Sequence, residues 1–189
     1  MDFALSEENA MIAETAQRIA RERLAPLAET LDRGGGRDAF LENLKSLAEH
    51  GFMGLNVRGD YGGSEAGTTA FALSIEAFAR ACASTAVTAS VTNMVGEIIQ
   101  AVGSEEQRQR YLPPLCDGTY AAGAFCLTEA GAGSDPAGMT ARAVMDGNEW
   151  VLNGAKLYIT SAPYAGVFVV WAVTDPDAAE GHGLSLIHL

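Results

Sequence analysis

Two short segments of the chain combine small residues, hydroxyl groups and an aromatic ring in a pattern that suits ligand binding. The first, residues 125–135, reads FCLTEAGAGSD, and no bulky side chain screens the backbone N–H groups of residues 131–133. A phosphate group is the natural occupant of such a backbone. The second, residues 153–161, reads NGAKLYITS. If it is a strand, the alternation of side chains places Tyr158 and Thr160 on one side of the sheet, where a flat heteroaromatic ring fits.

The two segments resemble the flavin-binding signature of the acyl-CoA dehydrogenases. In that family a Thr-Glu-x-Gly-x-Gly-Ser-Asp loop precedes a strand that ends aromatic-Ile-Thr, and residues 128–135 and 158–160 are similar to these motifs. Ala130 and Arg58 stand where the family usually has Pro, and neither change removes a donor. Further landmarks of the family's amino-terminal half follow in the family's order at residues 3–6, 24–26, 51–55, 61–63, 103–107 and 111–113.

Helical periodicity runs from Ser6 to about Tyr111 and predicts a bundle. Ser6 can cap a first helix that breaks near Pro26 and ends at the glycine turn 34–36. Three further amphipathic helices carry apolar residues at helical spacing: Phe40, Leu41, Leu44 and Leu47; Phe71, Ile75, Phe78 and Cys82; Val91, Val95, Ile98 and Val102. Ser104 and Gln107 predict a capping box for a short fifth helix that Pro113 and Pro114 stop.

Beyond Ala121 the pattern is that of strands. Strands are predicted at residues 139–145, 149–152, 155–160, 167–173 and 184–189, with hairpin turns at Asp146-Gly147 and Asn153-Gly154. The fold class is therefore α+β: an all-α bundle over residues 1–120, followed over residues 121–189 by an antiparallel, β-barrel-like domain. Because the chain stops within an apolar segment, we expect this β domain to be incomplete.

Composition narrows the range of functions. The formal net charge of −12 disfavours nucleic acids and anionic membrane surfaces as partners, and no apolar run approaches the length of a membrane span. The cysteines Cys82, Cys116 and Cys126 lie far apart without metal-site spacing, which favours reduced, buried thiols and a cytoplasmic location. A metal is not expected.

The resemblance implies a role for each matching position. The cofactor would be FAD, and Thr128 would donate to the pyrimidine edge of its flavin ring. Gly133 and Ser134 would contact the pyrophosphate, with Ser134 also near the CoA part of the substrate. Thr160 would donate toward N5, the atom that receives hydride. The complete set of expected cofactor contacts is Phe125, Cys126, Leu127, Thr128, Gly133, Ser134, Tyr158, Ile159 and Thr160, and the expected substrate contacts are Ser134, Val87 and Ser90.

The resemblance implies the amino-terminal portion of an FAD-dependent acyl-CoA dehydrogenase, which converts an acyl-CoA to a trans-2-enoyl-CoA. Electrons would pass to an electron-transferring flavoprotein or a similar acceptor, and the enzyme would be a homo-oligomer, a dimer or tetramer. No carboxylate of this chain matches the position of the family's catalytic base. An acyl-CoA oxidase or flavin monooxygenase of the same fold, or a non-catalytic subunit that completes a flavin site in a hetero-oligomer, stays open.

Individually, the singled-out residues also have plainer explanations. The glycines at 131 and 133 could form a tight linker between helices and strands, and a lone Gly-x-Gly is weak evidence for phosphate binding. Thr128, Thr160 and Tyr158 could be ordinary strand residues. The small residues around Val87 and Ser90 suit helix packing as well as they suit an acyl pocket.

Overall fold

The helices and strands follow each other in two successive blocks along the chain. The computed structural model describes residues 4–179 and 182–188; Phe3 and Leu189, which belong to two of the sequence patterns, lie outside them. The helices are α1 (Glu7–Ile19), a π-helical turn (Ala20–Leu24), α2 (Ala25–Asp32), α3 (Arg37–Glu49), α4 (Gly67–Ala81), α5 (Ala83–Val102) and α6 (Glu105–Cys116). The strands are β1 (Gly123–Cys126), β2 (Arg142–Asp146), β3 (Glu149–Asn153), β4 (Val167–Val173) and β5 (Leu184–His188). The α+β class is confirmed.

Helix ends follow the local chemistry of the sequence. The Ser6 side chain accepts a hydrogen bond from the Asn9 backbone N–H at 3.2 Å, so the predicted cap of α1 is confirmed. The expected break near Pro26 takes the form of the π-helical turn, after which Pro26 occupies the first turn of α2. This is a favourable place for proline because the first-turn N–H groups have no partner within the helix.

The capping box of α6 is confirmed, but the expected end of this helix at the two prolines is wrong. Ser104 and Gln107 exchange the two predicted hydrogen bonds at 3.2 and 2.7 Å. Pro113 and Pro114 lie inside α6, which continues to Cys116. The two prolines remove two backbone N–H donors from the last turn, and burial of apolar side chains around them offsets that loss.

Helix α5 holds the helical block together. Its Asn93 side chain is fully buried, accepts a hydrogen bond from Leu55 N at 2.7 Å, and donates to Phe52 O at 2.8 Å and Ala89 O at 2.9 Å. The loop between α3 and α4 is thereby fastened to α5. A buried amide without these partners would be costly, so this network fixes one arrangement of the loop.

The strands form a mixed sheet, and the expectation of a purely antiparallel sheet is wrong. Strand β4 pairs in parallel with β1 and antiparallel with β5, and it touches the start of β2 at one parallel pair, Arg142 with Val173. The Asp146-Gly147 turn joins β2 and β3 as the predicted antiparallel hairpin. The long connection from β1 to β4 permits the parallel pairing, since tight hairpins can join only antiparallel neighbours.

Residues 155–160 are not a strand, and Asn153-Gly154 is not a hairpin turn. The backbone of this segment pairs with a loop instead, because Leu157 N donates to Thr128 O at 2.9 Å. Tyr158 has a left-handed backbone conformation, with φ at 57°. The strand alternation that was expected to align Tyr158 with Thr160 is therefore absent.

Helix α5 also positions the sheet. The Thr92 hydroxyl accepts a hydrogen bond from the backbone N–H of Gly123 at 3.2 Å, where β1 begins. A Cβ on Gly123 would lie 2.8 Å from Val95, so the strand approaches the helix more closely than any other residue type would allow. The segment that follows β1 thus starts from a fixed point on the helical block.

Candidate functional site

The two segments singled out in the sequence form two facing walls. We call residues 127–135 the first wall and residues 153–161 the second wall. Besides the bond from Leu157 N to Thr128 O, the Lys156 ammonium donates to the Leu127 carbonyl oxygen at 3.0 Å. The predicted juxtaposition is therefore correct, although loop contacts produce it and not strand pairing.

Glu129 is the centre of the contacts between the walls. It is 7% exposed, and its carboxylate accepts from Lys156 Nζ at 2.8 Å, from the Thr140 N–H and hydroxyl at 2.7 and 2.8 Å, and from Ala141 N–H at 3.0 Å. Burial alone would raise the pKa of this carboxyl, but the hydrogen bonds from Lys156, Thr140 and Ala141 outweigh it and lower the pKa to about 2. Glu129 is thus ionised and fully engaged.

These bonds also explain where β2 starts. The sequence predicted a strand from residue 139, whereas β2 begins at Arg142. Thr140 and Ala141 direct their backbone N–H groups to the Glu129 carboxylate, so they are not available to a neighbouring strand.

The tip of the first wall is a tight turn with open backbone. Glu129 and Ala132 exchange backbone hydrogen bonds at 3.0 and 3.2 Å. Gly131 and Gly133 are exposed, and a Cβ built on either would meet nothing within 4 Å. Neither residue has a positive φ. Packing and backbone conformation in the described chain therefore do not require glycine here, which points to the approach of another molecule. Ser134, next to them, is exposed.

The strand before the first wall presents one ring and one buried thiol. Phe125 is half-buried and meets the Trp171 ring edge-on, with 6.4 Å between centroids. Cys126 is buried, and burial raises the pKa of its thiol, which disfavours the nucleophilic thiolate form. Leu127 and Thr128 are half-buried. The Thr128 hydroxyl makes no hydrogen bond within the described ranges.

The second wall holds a strained, exposed aromatic residue. Tyr158 is 91% exposed despite its left-handed backbone, and Ser161 shares that conformation with φ at 69°. Non-glycine residues with such backbones cost energy and are concentrated at binding sites. Ile159 and Thr160 are half-buried beside them. The buried Ser161 hydroxyl lacks a partner among the described residues, but so do buried atoms of the helical block, so Tyr158 is the stronger mark of a site.

The predicted substrate residues lie on α5. Val87 is 49% exposed and Ser90 is half-buried. The neighbouring Thr88 hydroxyl lies 3.4 Å from the Tyr164 hydroxyl, just beyond the second wall. The structure thus brings this part of α5 toward the second wall, whereas it records no contact between Ser134 and either Val87 or Ser90.

Sequence reasoning missed Lys156 and the structural role of Glu129. A lysine within an otherwise apolar, strand-like stretch was the available signal, since burial of such a charge requires an anionic partner.

Among the described residues, no group of His, Cys, Asp and Glu forms a metal site, and no helix is long and apolar enough to traverse a membrane.

Comparison with known proteins assigns the family. Residues 6–119 match the N-terminal domain of acyl-CoA dehydrogenase and residues 124–189 match its middle domain. The chain therefore belongs to the acyl-CoA dehydrogenase family.

Individual relatives agree with this assignment. The chain is 39% identical to the probable acyl-CoA dehydrogenase YngJ of Bacillus subtilis, over 94% of this chain and 46% of that protein. A chain solved in a study of the electron transferring flavoprotein of Acidaminococcus fermentans superposes with a TM-score of 0.92 at 34% identity, covering 100% of this chain and 49% of that one. The acyl-CoA dehydrogenase of Bacillus anthracis complexed with FAD gives 0.86 at 33% identity, covering 98% and 31%. The chain spans about half the length of the curated relatives it matches.

Proposed function

We propose that this chain forms part of an FAD-dependent acyl-CoA dehydrogenase, with residues 1–120 as the helical domain and residues 121–189 in the middle domain. One observation carries the proposal. The two walls that match the family's flavin motifs are fastened together, while their open glycine backbone and the exposed Tyr158 ring have no role within the described chain. The Bacillus anthracis relative with bound FAD supports this cofactor.

The residues of the two walls fit the chemical groups of FAD. The open backbone at Gly133 and the exposed Ser134 suit a pyrophosphate, which prefers unobstructed N–H and hydroxyl donors. The unpaired Thr128 hydroxyl suits the pyrimidine edge of the ring, along residues 125–127. The Tyr158 ring would cover one flavin face, flanked by Ile159, with the Thr160 hydroxyl directed toward N5. The bound cofactor would accept hydride from Cβ of the acyl thioester as a proton leaves Cα.

The substrate is proposed to lie between α5 and the first wall. The exposed Val87 side chain of α5, with the small, half-buried Ser90 beside it, offers space for an acyl chain. Ser134 would serve the CoA part. Glu129, the carboxylate between the walls, is unsuited to act as the catalytic base, because it is buried and accepts hydrogen bonds from Lys156, Thr140 and Ala141.

The remaining proposals concern the electron acceptor, the oligomeric state and the cellular location. We propose an electron-transferring flavoprotein or similar acceptor as partner, which the relative from the study of such a flavoprotein supports. A homo-oligomer is proposed from the family alone. A cytoplasmic location is proposed because Cys82, Cys116 and Cys126 are all free and buried.

The deciding experiment is anaerobic reduction of the flavin by substrate. The complete enzyme, of which we propose that this chain forms part, should purify with FAD in near-stoichiometric amount, and adding a saturated acyl-CoA should bleach its flavin absorbance in a single turnover. Free CoA is the control and should cause no bleaching. Absence of bound flavin after reconstitution contradicts the proposal. Flavin that stays oxidised with acyl-CoAs of every chain length supports a non-catalytic subunit instead.

A further inference from the structure

The ion pair between Glu129 and Lys156 differs from the others in the described part of the chain. Its Nζ and Oε1 atoms are 2.8 Å apart, and the two side chains are only 6% and 10% exposed. Every other pair recorded there has at least one well-exposed partner, as in Glu76–Arg80 on α4, with exposures of 58% and 79%. The buried pair is therefore protected from water and salt, and the exposed pairs are not.

Three backbone segments meet at this pair. Glu129 belongs to the first wall, Lys156 belongs to the second wall, and Thr140 and Ala141 lead into β2. The same ammonium also donates to Leu127 O. A buried ion pair is poor evidence of stability, because well-packed apolar residues often do as well. Here the ion pair instead holds the two walls at one separation.

We propose that Glu129 and Lys156 are positioning residues that fix the separation of the two walls and keep the electrostatic potential beside Leu127 close to neutral, so that the pair sets the affinity for FAD and its reduction potential. This inference rests on the proposed function, in which Leu127 and Thr128 run along the flavin ring.

The two partners act on the potential in opposite directions. Reduction adds negative charge to the flavin, so a nearby unpaired cation favours the reduced state and a nearby unpaired anion disfavours it. In Glu129→Gln the Lys156 ammonium stays 3.0 Å from Leu127 O without its counter-charge. In Lys156→Met the Glu129 carboxylate persists on its three remaining donors from Thr140 and Ala141. A purely structural role predicts no such difference in sign.

The test measures the reduction potential and dissociation constant of FAD in the native, flavin-loaded protein. Glu129→Gln should shift the potential to more positive values, Lys156→Met to more negative values, and the double variant should return close to wild type. Lys156→Arg keeps the charge and should stay close to wild type in potential. FAD should bind about tenfold more weakly in both single variants and in the double variant, since each lacks the charge-assisted bond between the walls. Glu76→Gln, which breaks an exposed pair, is the matched control and should change neither quantity.

Other results would overturn the inference. Potentials that shift in the same direction in both single variants, or that do not shift while FAD stays bound, exclude the electrostatic role. If the single variants do not fold, the double variant decides, because it buries two neutral groups of similar volume: wild-type FAD affinity overturns the positioning role, and weakened affinity at unchanged thermal stability without FAD supports it. A wild-type protein that binds no flavin overturns the proposed function and this inference together.

Discussion

Gly54 and Gly63 in the helical block differ from Gly131 and Gly133 in the first wall in the space around them. A Cβ on Gly63 would lie 1.9 Å from the Val57 carbonyl oxygen, and one on Gly54 would lie 2.4 Å from the Cys116 sulfur. At Gly131 and Gly133 it would meet nothing within 4 Å. At Gly63 and Gly54 the chain's own packing therefore excludes a side chain, whereas at Gly131 and Gly133 nothing in the described chain does.

This contrast separates residues whose type is explained by contacts within the chain from residues whose type is not. Asn93 in α5 uses its side chain on three neighbouring backbone groups. The side chains of Thr128 and Tyr158 in the two walls make no comparable contact within the described ranges. Internal contacts do not explain these residue choices, and these residues lie on the surface that we propose binds the cofactor. Substitutions in the two regions should therefore affect different measurements.

The largest effect is expected when alanine replaces one glycine from each region, Gly63 in the helical block and Gly131 in the first wall. Gly63→Ala forces a methyl group against backbone and should lower the free energy of unfolding by more than about 3 kcal/mol. Gly131→Ala should leave it within about 0.5 kcal/mol, because surface changes in open space are usually neutral, while weakening FAD binding. Urea unfolding and FAD titration of both variants measure the two effects. Equal losses of stability would remove the contrast.

Acid should affect the site before it affects the helices. The pKa of Glu129 is lowered in the folded state to about 2, so its contribution to stability is complete above about pH 4.5 and is lost as pH falls toward 2. The lowered pKa corresponds to about 3 kcal/mol at neutral pH. The excess stability of wild type over Glu129→Gln should therefore shrink below pH 4.5 in urea unfolding measured across pH.

A matched control for this titration lies in the helical block. Hydrogen bonds from Gln109 and Tyr61 also lower the pKa of Glu105, but that carboxyl is exposed. Glu105→Gln should therefore change the pH dependence much less than Glu129→Gln does. A larger change at Glu105 would place the acid-sensitive element in the helices instead.

Removal of one polar side-chain group from each region should lower stability in the helical block and FAD affinity in the first wall. Asn93→Ala leaves the buried Leu55 N–H unpaired and should cost about 2 kcal/mol of stability. Thr128→Val should cost no stability, because its hydroxyl has no partner in the described chain, but it should weaken FAD binding. Thermal unfolding with and without FAD distinguishes the two. A destabilised Thr128→Val without FAD would show that the hydroxyl serves the fold.

The smallest effect is expected at Tyr158, and it should have the opposite sign. Glycine tolerates the left-handed backbone that strains Tyr158, so Tyr158→Gly should leave stability unchanged or raise it by up to about 1 kcal/mol. The same change removes the exposed ring and should weaken FAD binding. Tyr158→Phe is the control, which keeps the ring. Tighter FAD binding by the glycine variant would contradict the role of the ring.

Local signals predicted much of the fold, and long-range contacts explain what they missed. Ser6, the Ser104–Gln107 capping box and the Asp146-Gly147 turn act within a few residues of themselves, so the sequence displays them directly. The strand expected at residues 155–160 failed because Lys156 turns toward Glu129, a partner far away in the chain. The start of β2 at Arg142 was missed for the same reason, because it depends on hydrogen bonds from Thr140 and Ala141 to Glu129, which is also distant in the sequence.

The meeting of the two walls was predictable, but the contacts that produce it were not. That Thr128, Ser134 and Thr160 are neighbours of one ligand stays a prediction from the motif positions. That Tyr158 would adopt a left-handed backbone could not be read from its type, because tyrosine rarely does so and only surrounding contacts impose it.

The position of β4 in the sheet has a consequence for how the protein acquires its shape. This one strand pairs with β1, β5 and the start of β2, yet it follows both walls in the chain. During synthesis the helices can collapse from local contacts as they emerge, and the β2–β3 hairpin can close by itself. Strand β1 must wait until β4 leaves the ribosome before it can pair, so the two walls should become ordered only after the helices and the β2–β3 hairpin.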